Sequence, residues 1–140
     1  MKYSRKNWKG EGRHRKMIKT IEWKNNRLVL LDQRLLPEKE TYVSFDDYLS
    51  VAKAIENMTV RGAPAIGVTA AFGVALGILG LAEGAVEKFD EKLTHICERL
   101  AATRPTAVNL FWAIERMKKC ADQHRALPLE DLKQRLTEEA

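Results

Sequence analysis

Two spacings of hydrophobic residues divide the chain. Up to Phe45 the apolar residues come in short runs, "KTIEW", "RLVLLD" and "ETYVSF". They are separated by Lys24-Asn25-Asn26 and by Leu36-Pro37-Glu38-Lys39. Short runs carrying Val, Ile, Thr, Tyr and Phe fit a pleated, half-buried surface and predict strands. The Asn-rich break predicts a tight hairpin turn. Three short antiparallel strands need a cover over their apolar face, and the rest of the chain is expected to supply it.

From Asp46 the spacing becomes helical. Ser44 or Asp46 is expected to cap a helix running to about Asn57, with Tyr48, Leu49, Ala52 and Ile55 on its apolar face. A second helix is predicted from Pro64, since proline suits a first turn, where its missing N–H has no helical partner anyway. Gly84 then interrupts the pattern. A third helix is read from about Val86 to Ala102, with Phe89, Leu93, Ile96, Cys97 and Leu100 in line. A fourth is read from Pro105 or Thr106 to Gln123, with Ala107, Leu110, Phe111, Ile114 and Met117 as its stripe. The fifth starts at Pro128 and still runs at Ala140, as expected of a chain cut inside or just after a helix. The expected class is therefore α+β: a small three-stranded antiparallel sheet followed by about five helices.

The second helix breaks the amphipathic rule, because no charged residue stands between Arg61 and Glu83. That length would allow a membrane span, and Gly73-x-x-x-Gly77 matches a membrane helix-pairing spacing. Composition argues otherwise. The run is mostly Ala and Gly, has few large aliphatic residues and lacks aromatic residues at its ends. A helix apolar on all sides in a soluble fold is a central one, and its glycines predict close helix–helix contact.

Charge changes the picture only at the N-terminus. The formal net charge is +5 and the isoelectric point about 9.3. Lys2, Arg5, Lys6, Lys9, Arg13, Arg15 and Lys16 stand against the single acid Glu11, so the remainder is close to neutral. Residues 1–17 are expected to be a disordered basic extension, and residues 18–140 the domain. Nucleic-acid binding would place basic charge on a folded face, so no nucleic-acid partner is expected. Met17 is a candidate start, with the preceding residues read as a translated ribosome-binding sequence. There is no apolar segment behind the basic residues, hence no secretory signal. Two cysteines without one, Cys97 and Cys120, fit a reducing cytoplasm. Neither lies in a metal-binding spacing, and both are expected to be structural thiols.

The candidate chemistry lies at two helix starts. Arg61-Gly62-Ala63-Pro64 puts a guanidinium and a side-chain-free residue ahead of the uncharged helix. Arg104-Pro105 repeats the arrangement in "TRPTAVN". A helix N-terminus directs N–H groups and partial positive charge outward and favours phosphate, and arginine can grip phosphate with paired hydrogen bonds. If both termini face one point, they form one anion site. On spacing alone the plainer alternative stands beside it: each arginine pairs with a carboxylate and each proline simply starts a helix.

The segments "MTVRGAPAIGVTAAFGVALG", "TRPTAVNLFWAIERM" and "IEWKNNRLVLLDQRLLP" closely resemble the N-terminal part of methylthioribose-1-phosphate isomerases. These belong to a wider family with ribose-1,5-bisphosphate isomerases and the regulatory subunits of the exchange factor for initiation factor 2. The resemblance covers about residues 18–140. It implies that Arg61, Gly62, Ala63 and Arg104 contact the substrate, largely at its phosphate. It implies conversion of 5-methylthioribose 1-phosphate to 5-methylthioribulose 1-phosphate in methionine salvage, without metal or organic cofactor, in a cytoplasmic homodimer.

The catalytic cysteine and aspartate of that family lie in a C-terminal Rossmann-like domain, which this sequence lacks. Cys97 and Cys120 do not match that motif. Asp46, Asp47, Asp90, Asp122 and Asp131 are expected to be capping or surface residues, and His14, His95 and His124 surface groups. The chain is therefore expected to hold the phosphate-binding half of a site, with no catalytic residue of its own and no activity alone. The alternative within the family is a regulatory module that senses a sugar phosphate or nucleotide, or a ribose-1,5-bisphosphate isomerase.

Overall fold

A computed structural model describes residues 20–82 and 87–140. The predicted N-terminal extension, His14, Gly84 and Val86 lie outside the described residues. Strand β1 (Ile21–Lys24) and strand β2 (Arg27–Leu31) form a hairpin whose loop is Asn25-Asn26. Both asparagines have positive φ, 53° and 58°. That is the backbone of the twisted two-residue turn, and asparagine tolerates it better than most residues. Strand β3 (Tyr42–Phe45) pairs antiparallel to β2, with Leu28 opposite Phe45 and Leu31 opposite Tyr42. The order is β1-β2-β3. Leu28 and Leu30 are fully buried, so β2 carries the sheet's contribution to the core.

Five helices follow among the described residues: α1 (Tyr48–Glu56), α2 (Ala63–Leu79), α3 (Phe89–Ala101), α4 (Val108–Gln123) and α5 (Leu129–Glu139). The α+β architecture is as the spacing predicted. Its details differ in ways that packing explains. Asp47, rather than Ser44 or Asp46, caps α1, its carboxylate accepting from the Ser50 N–H at 2.7 Å. Val51 replaces Leu49 on the buried face of α1, and Leu49 is exposed. Helix α2 ends at Gly80, ahead of Gly84. Phe111 sits at the edge of the α4 stripe, which instead buries Leu110, Ile114, Met117, Cys120 and Ala121.

Helix α2 is the axis of the domain and packs against α1, α3, α4 and α5. Residues are buried along its length and around its circumference, from Ile66 to Ile78. Its glycines are contact points. A Cβ on Gly73 would stand 3.2 Å from Val51 and Leu100, and one on Gly77 would stand 2.8 Å from Ile96 Cγ1. Gly73 faces Leu100 and Gly77 faces Ile96, so α3 runs antiparallel to α2. Helix α5 is antiparallel to both α2 and α4: Lys133 Nζ donates to the Leu81 carbonyl at 2.7 Å, and Arg116 pairs with Glu139. It follows that α2 and α4 run parallel and start at the same end of the domain. No helix of the described residues is long and apolar enough to cross a membrane.

Candidate functional site

The end of the domain where α2 and α4 begin collects all four candidate residues. Gly67, in the second turn of α2, meets the first turn of α4. A Cβ there would stand 3.0 Å from the Asn109 carbonyl oxygen. A side chain there would push the two backbones apart by a few tenths of an ångström, so glycine lets the two helix starts sit this close.

The start of α2 is built for exposure. Gly62 is the N-cap with φ 98° and ψ 131°, a conformation that disfavours any side chain. No side chain caps this terminus. Arg61, Gly62, Ala63 and Pro64 are all exposed. The first-turn N–H groups therefore face outward with the positive end of the helix dipole behind them.

The segment leading into it is held firmly. Asn57 Oδ1 accepts from both the Thr59 N–H (3.0 Å) and the Thr59 hydroxyl (2.7 Å). Between them Met58 takes a positive φ of 69°. Thr59 and Val60 are buried, and the Thr59 carbonyl accepts from the Gln33 N–H at 2.8 Å. The preceding residue, Asp32, is also buried. Its carboxylate accepts from the Arg34 N–H, Nε and Nη2 at 3.0, 2.9 and 2.8 Å. The Arg34 guanidinium holds the Asp32 carboxyl below its ordinary pKa. Asp32 and Asn57 thus support Arg61-Gly62 from below. Asn57 was legible only as a helix terminator, and Asp32 stood out by nothing in its spacing.

Arg104 is placed differently from the expectation. Pro105 does not start α4. The Ala107 N–H donates to the Arg104 carbonyl at 2.9 Å, closing a turn over residues 104–107 with proline in its favoured second position. Helix α4 then begins at Val108 with Ala107 as a cap that offers no side-chain acceptor. Arg104 lies on this turn, half-buried, and its Nη1 is shut off from water without a hydrogen-bond partner among the described residues. A buried guanidinium nitrogen without an acceptor is costly. Carboxylate pairing, the plainer alternative, is not what this nitrogen does.

The remaining candidates fall where the sequence put them. Cys97 and Cys120 are buried free thiols. Burial pushes the Cys97 thiol up to about 11 and raises Cys120 as well, so neither is a ready thiolate. His95, Asp46, Asp47, Asp90, Asp122 and Asp131 are exposed. His124 is the exception: it is half-buried, and its Nδ1 lies 2.9 Å from the Cys120 carbonyl. No group of three or more His, Cys, Asp or Glu among the described residues could hold a metal. Beside the α2 start, a groove of about 230 Å³ runs between α2 and α4, bordered by Pro64, Val68, Trp112, Arg116 and Ala140.

Comparison with known proteins places this geometry. Residues 59–140 match the family model described as the Initiation factor 2 subunit family. Over 123 residues the chain is 52% identical to the methylthioribose-1-phosphate isomerase of Geobacter sulfurreducens and 51% identical to that of Syntrophotalea carbinolica. Each match takes in 88% of this chain and 36% of the relative. The chain thus spans about a third of the length of these curated relatives. Two solved structures share the fold. The 5-methylthioribose 1-phosphate isomerase of Pyrococcus horikoshii has a TM-score of 0.83 and 44% identity, over 89% of this chain and 35% of that one. Subunit delta of the translation initiation factor eIF-2B from A. fulgidus has a TM-score of 0.80 and 36% identity, over 88% of this chain and 35% of that one.

Proposed function

The chain belongs to the initiation factor 2 subunit family, and from that premise we propose that it is the N-terminal, phosphate-binding portion of an aldose–ketose isomerase. Its substrate is 5-methylthioribose 1-phosphate, converted to 5-methylthioribulose 1-phosphate in methionine salvage. The observation that carries this is Arg104 Nη1, buried without a partner, at the end of the domain where the uncapped N-terminus of α2 is exposed. A phosphate there would accept from the guanidinium and from the first-turn N–H groups together. Arg61 closes the site from the solvent side, and Gly62 and Ala63 let the anion reach the backbone.

Isomerisation also needs a positioned acid and base. The groups proposed here only donate hydrogen bonds and positive charge, so they hold the substrate without transforming it. The chemistry is assigned to the part of the longer relatives that this chain does not span. The complete enzyme is proposed to be a cytoplasmic homodimer needing no cofactor.

The test joins this chain at Ala140 to the remaining portion of the Geobacter sulfurreducens relative and follows ketose formation. The joined protein should turn over, and the 140-residue chain alone should not. Arg104→Ala should reduce kcat/KM by one to two orders of magnitude, as loss of a charge-assisted bond of about 1.5–3 kcal/mol requires. Turnover by the chain alone would overturn the division of labour, and unchanged kinetics in Arg61→Ala and Arg104→Ala would overturn the site. The likeness to eIF-2B subunit delta supports a second reading, a regulatory module that binds a sugar phosphate or nucleotide without turnover. A joined protein that binds but does not isomerise would favour it.

A further inference from the structure

Among the described residues, two buried side-chain polar atoms lack a hydrogen-bond partner: Arg104 Nη1 and Thr69 Oγ1. Thr69 is fully buried in α2. A threonine hydroxyl inside a helix commonly donates to the carbonyl four residues earlier, and this one does not. An unsatisfied buried hydroxyl costs stability, and valine would fill the same space without that cost.

Packing brings the two residues to one place. Along the contact of α2 with α3, Gly77 meets Ile96 and Gly73 meets Leu100. The two helices are antiparallel, and residues four apart on a helix share a face. One turn further along both, Thr69 comes level with Thr103 and Arg104. This is the end of the domain where the α2 N-terminus is exposed. The other buried hydroxyls at this end are committed: Thr103 donates to the Leu100 carbonyl at 2.6 Å, and Thr59 to Asn57 Oδ1 at 2.7 Å.

We propose that Thr69 is a positioning residue for Arg104, its hydroxyl oxygen accepting from Nη1 when the guanidinium holds phosphate. A guanidinium has five N–H donors, and a paired grip on phosphate uses two of them. The others need acceptors once the ligand has displaced water. Thr69 supplies one from the inner side. Being neutral, it fixes the plane of the guanidinium without competing with phosphate for its charge, as a carboxylate would. In the described geometry the two atoms do not bond each other, so the bond is assigned to the phosphate-bound form. The inference rests on the reading of Arg104 as a phosphate ligand and adds to it a residue deeper in α2.

The test titrates the 140-residue chain with inorganic phosphate and reads the affinity from the rise in melting temperature. Thr69→Val keeps the shape and removes the hydroxyl, Thr69→Ala is a second hydroxyl-free variant, and Thr69→Ser keeps the hydroxyl. Urea unfolding checks that each variant is folded. Loss of the hydroxyl should weaken phosphate binding about tenfold, as expected for a hydrogen bond to a charged group. Thr69→Ser should stay within about twofold of the wild type. In an Arg104→Met background Thr69→Val should have no further effect on phosphate, because the donor it serves is gone. Wild-type affinity in the hydroxyl-free variants would overturn the role. So would an equal loss with and without Arg104, which a general disturbance of packing would give. Either result leaves the phosphate site standing where Arg104→Met itself weakens binding. Phosphate binding that Arg104→Met leaves unchanged would remove the phosphate reading, and this role with it.

Discussion

Gly77→Ala sets two sequence-level forces against each other in the central helix. Alanine is favoured over glycine in a helix interior by about 1 kcal/mol, so propensity alone predicts a more stable chain. The packing predicts the reverse. The new Cβ would lie 2.8 Å from Ile96 Cγ1 and 3.2 Å from its Cγ2, well inside van der Waals contact. Ile96 is fully buried, so it cannot swing into solvent. Overpacking of this kind costs about 1–3 kcal/mol. The net expectation is a loss of about 1 kcal/mol in urea unfolding, seen as a lower midpoint at constant slope.

Two companions sharpen the Gly77 result. Gly80→Ala meets its nearest atoms at 3.5 and 3.8 Å with φ −76°, and should be neutral or slightly stabilising. Ile96→Val removes Cδ1, the atom nearest to the new Cβ, so the double variant should be more stable than the sum of the single effects by about 1 kcal/mol. A Gly77→Ala chain at or above the wild-type midpoint, or strict additivity with Ile96→Val, would refute close contact as the reason for the glycine.

Three further perturbations follow from the same structure. Arg104→Met removes a buried unpaired nitrogen while keeping an apolar stem, so the chain alone should gain about 1–3 kcal/mol in chemical denaturation, and added inorganic phosphate should raise the melting temperature of the wild type more than that of the variant. Raising the pH should destabilise the chain through Cys97: its thiol titrates near 11 when folded against 9.0 ordinarily, so between these values the folded state keeps a proton that the unfolded state has lost. Stability should fall across that window by up to about 3 kcal/mol, and that fall should appear in the difference between the wild type and Cys97→Ala taken at each pH, the variant lacking it. Asp47→Ala deletes the cap of α1 and should cost about 1 kcal/mol at neutral pH in the same urea assay.

The elements were legible because each rests on local chemistry. The Asn25-Asn26 turn, the short apolar run of β2 and the charge-free stretch of α2 need no tertiary partner to be recognised. What escaped depends on packing direction. Leu49 and Phe111 fit helical spacing, yet lie at the edge of the buried stripe, because neighbouring helices cover Val51 and Leu110 instead. Pro105 resembles Pro64 in sequence, but the Arg104 carbonyl is taken by a turn, and α4 waits for Val108. Half of the candidate site was visible as Arg-Gly-Ala-Pro and Arg-Pro. The support beneath it was not, because Asp32 and Asn57 act through hydrogen bonds to residues in a strand-following turn and a strained loop, which no periodicity encodes.

The fold alone cannot decide between the two kinds of relative, since an isomerase and an initiation-factor subunit superimpose on it almost equally well. Function has to be argued from the site. On the proposed reading, that site is cationic, donor-rich and poor in bases. Two acids toward that end are already engaged with arginines: Glu56 with Arg99 and Glu139 with Arg116. An exposed cationic cradle binds any small phosphate weakly, because water competes for every donor. Covering it would lower the local dielectric and strengthen each hydrogen bond. Selectivity for one sugar phosphate, and the difference between turning it over and merely sensing it, would then reside in what that cover brings to the far side of the substrate. That accounts for one N-terminal domain serving an enzyme in one relative and a subunit of a translation factor in another.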